Sequence, residues 1–243
     1  MTSLDVIGAI AVTAGAAIMA GTLVPVGFAG PRARFLAGGL LAVWFVLLIA
    51  GVAAATSPVG VPALGLAAMV PIVVALLIAA FRPPFRAAVR AIPLPVLIGV
   101  NGVRLLGVLF VLLYLSDRLP GPFALTAGCG DMAIGATAPF VAAVAARGAD
   151  RWRGVTWLWN SLGLLDLFTA LGLGVLSAPD SPIRLIFSSA DMSAMTALPW
   201  ILIPAFLVPL LMLTHFAIFD RLLRTRSRSP SSDLGKWAPR LSA

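Results

Sequence analysis

The apolar positions of this chain neither alternate nor trace a single helix face. They fill whole runs of about twenty residues, separated by short polar or proline-bearing stretches. Seven such runs stand out, roughly at 4–28, 35–56, 61–81, 94–115, 122–146, 155–177 and 197–220. Each is long enough to cross a hydrocarbon core of about 30 Å at about 1.5 Å of rise per residue. The pattern predicts an all-α integral membrane protein, a seven-transmembrane-helix bundle whose spans pack on one another to satisfy their polar groups. One transmembrane domain over 1–226 is expected, followed by a basic, disordered tail over 227–243.

Composition strengthens the membrane reading. Of 243 residues, 60% are hydrophobic and only 11% charged, and the mean hydropathy is +1.06; a soluble domain is nearer a quarter charged. Asp5 is the only charge ahead of the first apolar run and no basic segment precedes it, so this run is expected to stay as a span rather than leave as a signal peptide. The net charge of +8 would suit a nucleic-acid partner if the basic residues formed a surface. They lie at span ends instead, so no nucleic-acid partner is expected and the lipid bilayer is.

Their placement gives an orientation. Arg32 and Arg34 follow the first run, Arg82, Arg86 and Arg90 the third, Arg147, Arg151 and Arg153 the fifth. Arg221, Arg224, Arg226, Arg228, Lys236 and Arg240 follow the seventh. The intervening connections hold only Arg118 and Arg184. The positive-inside rule then puts the C-terminus in the cytoplasm and the N-terminus outside. The Arg-, Ala- and Gly-rich composition suggests a bacterial inner membrane.

Charge inside the spans is costly and points to function. Runs 1–3 carry no ionisable residue beyond Asp5 near the chain start, whereas runs 4–7 hold Arg104, Asp131, Asp166 and His215, with Asn101 and Asn160 beside them. Helix rise puts Arg104, Asp131 and Asp166 all about 14–16 Å from their span starts, near the midplane. One guanidinium can fork to two carboxylates, so Arg104 is expected to bridge both. Asn101, Asn160 and His215 form a second level about 8–11 Å from the cytoplasmic face. Asn101 and Arg104 share a helix face and would join the two levels. In run 5, Gly128, Asp131, Gly135, Ala138 and Ala142 make a small-residue stripe suited to close helix contact. Pro199, Pro204 and Pro209 are expected to kink run 7. Trp152, Trp157 and Trp159 suggest an interfacial belt, and Cys129 a small buried residue.

Several chemistries are disfavoured. The only Lys lies in the tail, so a retinal Schiff base has no attachment point, and one His cannot make a bis-histidine haem. Neither a metal site nor any other cofactor is expected. Gly128-Cys129-Gly130-Asp131 resembles the GxGD pattern of intramembrane aspartyl proteases of the presenilin and prepilin-peptidase type. The resemblance covers four residues and implies catalysis by paired aspartates, here Asp131 and Asp166. Presenilin-like members carry the partner Asp on the preceding helix, and this chain has none there. The expected function is binding or transport of a small solute or protons through spans 4–7. A membrane-embedded enzyme and a non-catalytic subunit or sensor are the alternatives, and oligomeric state is not legible.

Overall fold

The computed structural model describes residues 2–55, 59–148 and 151–226; the expected tail over 227–243 lies outside the described residues. The described chain is all helical and turn. It holds seven helices long and apolar enough to cross a membrane: Ser3–Gly27, Pro31–Ala54, Pro62–Phe81, Leu94–Leu115, Gly121–Arg147, Trp152–Ser177 and Ile203–Arg224. Successive long helices run antiparallel. The end that carries Thr2 is called proximal below, the opposite end distal.

Helix α1 (Ser3–Gly27) opens on a capping box in which Thr2 and Asp5 satisfy each other's backbone N–H groups. Helix α2 (Pro31–Ala54) starts on a proline at its first turn, where the missing N–H costs nothing. No residue of α2 is buried, and its Trp44 and Phe45 rings meet Phe206, one tilted and one edge-on, with centroids 4.6 and 5.1 Å away. After α3 (Val61–Phe81), the short α4 (Pro83–Ala91) is amphipathic and lies at the distal end. Sequence periodicity leaves α4 unseen, because nine residues are too few to stand out between two apolar runs.

The fourth span is not one α-helix. α5 (Leu94–Gly99) passes into a 3₁₀ helix over Val100–Gly107 and then into α6 (Val108–Leu115). In the tighter 3₁₀ winding, side chains three apart eclipse. Asn101, Arg104 and Gly107 therefore stack on one line, and all three are buried.

α7 (Gly121–Arg147) and α8 (Trp152–Ser177) pack on each other, and α7 packs along the fourth span. α7 ends on Gly148 in the left-handed region, at φ 59°. The last span begins later than the apolar run suggests: Pro199 lies in the turn before the helix, a π-helical turn follows over Ile203–Leu207 around Pro204, and α9 (Val208–Arg226) completes it. The segment between α8 and the last span holds a 3₁₀ helix over Met192–Thr196.

Two apolar cores lie along the bundle. The proximal core includes Leu109, Phe110, Ala127, Leu167, Met195, Trp200 and Leu211. The distal core includes Leu97, Ile98, Ile134, Ala138, Trp159 and Ile218. On each of spans 4 to 7 the ionisable residue falls between a residue of one core and a residue of the other.

Candidate functional site

Four elements converge on Arg104, which the 3₁₀ segment carries and whose side chain is wholly buried. Its Nε donates to Asp131 Oδ1 on α7 at 2.6 Å. Its Nη2 donates to Asp166 Oδ2 on α8. Its Nη1 donates to the Gly163 carbonyl at 2.9 Å and to His215 Nε2 on α9 at 3.1 Å. Four of the five N–H groups of a guanidinium are thereby committed. Charge-assisted bonds of this kind are stronger than neutral ones, and buried they hold four helices in register.

His215 is fixed from both sides. Because Nε2 accepts from Arg104, the ring proton sits on Nδ1, which donates to Asn160 Oδ1 at 2.7 Å. Asn160 Nδ2 in turn donates to the His215 carbonyl at 3.1 Å. Both ring nitrogens are used within the cluster. Trp159 belongs here too. It is buried, stacks near His215 with ring centroids 5.8 Å apart and donates to Thr137 Oγ1 at 3.0 Å. The belt expected of it is not found at this residue, because the α7–α8 contact turns it inward.

Asn101 is buried but stands to one side. Its Nδ2 donates to Leu97 O at 2.9 Å and to Thr214 Oγ1 at 3.3 Å, while its Oδ1 accepts nothing among the described residues. The link between the two polar levels runs from Arg104 to His215 and Asn160, not through Asn101.

Glycines make the convergence geometrically feasible. A Cβ on Gly107 would stand 2.6 Å from Asp131 Cβ and 2.7 Å from the Gly128 carbonyl. One on Gly135 would stand 2.7 Å from the Leu105 nitrogen. This is the close approach expected of the α7 stripe, made against a 3₁₀ backbone. A Cβ on Gly163 would meet His215 Cε1 at 2.5 Å, and one on Gly130 would overlap Asp166 Oδ1. The Gly-Cys-Gly-Asp string thus has a packing cause: Gly128 admits the 3₁₀ segment, Gly130 admits Asp166, and Cys129 is exposed between them rather than buried.

Each carboxylate side chain keeps about 15% exposure. Among the described residues, Asp131 Oδ2 and Asp166 Oδ1 accept no hydrogen bond. Asp131 also lines a cavity of about 100 Å³ that runs between α3, α7, α8 and the π turn toward Met192 and Met195 at the proximal end. On the distal side the apolar core around Ile98, Ile134 and Trp159 closes over the cluster. No group of three or more metal-ligating side chains exists among the described residues.

A second polar cluster, not foreseen from the sequence, ties the proximal end. Asp5 accepts from Trp200 Nε1 and from Arg118 Nη1, both at 2.8 Å, and Arg118 lies over the Trp200 ring. Read singly, Asp5 and Arg118 look like span-end charges, and the partners lie more than a hundred positions apart. At the distal end Arg90 and Arg224 both pair with Asp220.

The model of a family described as a domain of unknown function (DUF8737) matches residues 61–223. That stretch contains Asn101, Arg104, Asp131, Asn160, Asp166 and His215 and omits α1 and α2. No curated protein and no solved structure matches the chain.

Proposed function

The chain belongs to the DUF8737 family, and we propose that it is a multi-pass inner-membrane protein that binds and moves protons or a small solute at Arg104, Asp131 and Asp166. In this reading the proximal end faces outside and the distal end the cytoplasm, a topology that the basic residues gathered at the distal connections support. Residues 1–226 form one transmembrane domain and the tail lies inside.

One observation carries the reading. A fully buried guanidinium bridges two carboxylates, each of which retains an unbonded oxygen, so one positive charge faces two negative ones. With His215 neutral, the cluster needs one further positive charge to be neutral in hydrocarbon, where an unbalanced charge is expensive. A proton or a cation supplies it. The site also sits where helices are interrupted, in the 3₁₀ segment of span 4 and beside the π turn of span 7, the kind of place membrane carriers use for their midplane sites. The cavity runs from Asp131 toward the proximal end, where buried Met192 and Met195 line it, while the distal core lies on the other side of the cluster. His215 and Asn160 would extend the path inward once that core parts. An aspartyl-protease reading gains nothing here: a shared-proton pair has no room for a cation bonded to both acids.

The test is proton flux in liposomes under an imposed membrane potential. Asp131→Asn and Arg104→Ala are each expected to lower flux at least tenfold in protein that still elutes as a monodisperse species. Full flux in both variants would sink the proposal.

A further inference from the structure

We propose that the cavity above Asp131 takes a small organic monocation: an ammonium head on the free carboxylate oxygen and a short apolar body in the cavity. The inference rests on the transport reading above and names its solute class.

The cavity's chemistry selects the ligand. Its walls include Phe110, Phe123, Leu171, Met192 and Met195, and Asp131 is the one charged residue among them. The remaining hydroxyl, on Thr196, already donates to the Ser193 carbonyl. An anion finds no donor, since Arg104 is wholly buried with four N–H groups committed. A sodium-sized ion needs several oxygen ligands at once, and these walls offer one carboxylate. An alkylammonium needs one anionic partner for its head and apolar contact for its tail, which is what the walls supply. Its charge also completes the neutral count of Arg104, Asp131 and Asp166. Size narrows the class: a cavity of about 150 Å³ admits benzene, so one of about 100 Å³ suits roughly three to five carbons. Met192 and Met195 at the proximal end have unbranched, adaptable side chains that can close over such a tail.

Titration calorimetry of the full-length protein in lipid nanodiscs tests this, with butylammonium chloride as probe and 1-butanol, sodium chloride and octylammonium chloride as comparisons. Saturable binding of one butylammonium per chain is expected, with affinity at least tenfold above octylammonium and no saturable signal from butanol or sodium. Asp131→Asn should weaken it at least tenfold. Gly174→Leu, which fills the cavity next to Met192 and Phe123 without touching the cluster, should do the same. The chain-length series on the unaltered protein stands if either variant misfolds. Affinity that climbs steadily with chain length would mark lipid partitioning and overturn the proposal, as would equal binding of butanol, undiminished binding by Asp131→Asn, or no binding at all. If butylammonium fails while Asp131→Asn still abolishes proton flux, the solute class is wrong and the transport reading stands. If the flux is also indifferent to Asp131 and Arg104, both fall.

Discussion

At the scale of residues, Arg104 and the glycines around it set the terms. Replacing Arg104 by Met strands two carboxylates at a buried site, and breaking such a pair from one side costs about 3–5 kcal/mol. The triple change Arg104→Met, Asp131→Leu and Asp166→Leu should recover most of that loss, because a buried ion network exchanged whole for apolar residues is often tolerated. Thermal unfolding in detergent reads both. A triple variant that melts like the parent yet passes no protons would separate the site's role in function from its role in folding. Gly130→Ala and Gly163→Ala place a methyl on Asp166 and on His215, and each should cost about 1–3 kcal/mol. Gly154→Ala, which meets nothing within 4 Å, should cost nothing and gain up to about 1 kcal/mol of helix propensity. The meeting of Arg104 with both aspartates is legible in the sequence, since counting rise along three spans puts them at one level. The glycine cage is only half legible. The α7 stripe announces a close contact, but Gly163 has no small residue three or four positions away and nothing in the order of residues reveals that Asp166 leans on Gly130.

At the scale of elements, two departures from α-helix shape the site, and the sequence hints at them unevenly. Pro204 forecasts trouble in the last span and the π turn forms around it. Pro199 forecasts the same and is wrong by placement, because the chain is still in a turn there. The 3₁₀ stretch of span 4 carries Gly102 and Gly107 but no proline; its backbone meets that of α7 closely at Gly107, Gly128 and Gly135, a contact made by a partner far along the chain. The short 3₁₀ helix at the proximal end depends on a local cap instead. Asp191 Oδ1 accepts from the Ser193 N–H at 2.8 Å, and hydrogen bonds from the Ser193 side chain and backbone hold its carboxyl below the usual range. A lowered folded value means the cap's contribution is complete above the unfolded value near pH 3.9 and fades as pH drops through the folded one. Asp191→Ala should therefore cost about 1 kcal/mol at neutral pH and progressively less in acid, read as the difference in melting temperature between the two proteins across a pH series.

At the scale of the whole molecule, the proposed topology makes a labelling prediction. In a Cys129→Ala background, a membrane-impermeant maleimide added to intact cells should label Ser116→Cys and spare Ala87→Cys, both at exposed positions on opposite ends. The reverse pattern would invert the orientation, and equal labelling would deny that the ends lie on opposite sides. The seven long apolar helices are the most legible part of the chain, because hydrophobic length is a property of segments. The proximal tie of Asp5, Arg118 and Trp200 is not, because it joins the first turn of α1, the connection before α7 and the turn before the last span, which only the finished bundle brings together.

Arg104 has a consequence for how the protein is made. Its acceptors all come later in the chain: Asp131 by 27 residues, Asp166 by 62 and His215 by 111. At a synthesis rate of roughly 5–20 residues per second, span 4 waits about 1–5 s for Asp131 to emerge. A lone arginine at the bilayer centre is among the least favourable cargoes for an insertion machine. Span 4 is therefore expected to linger at that machine and enter the lipid together with α7 as a charge-matched hairpin. A ribosome-bound chain halted just after span 4 should remain crosslinked to the insertion channel, and one extended through α7 should be released.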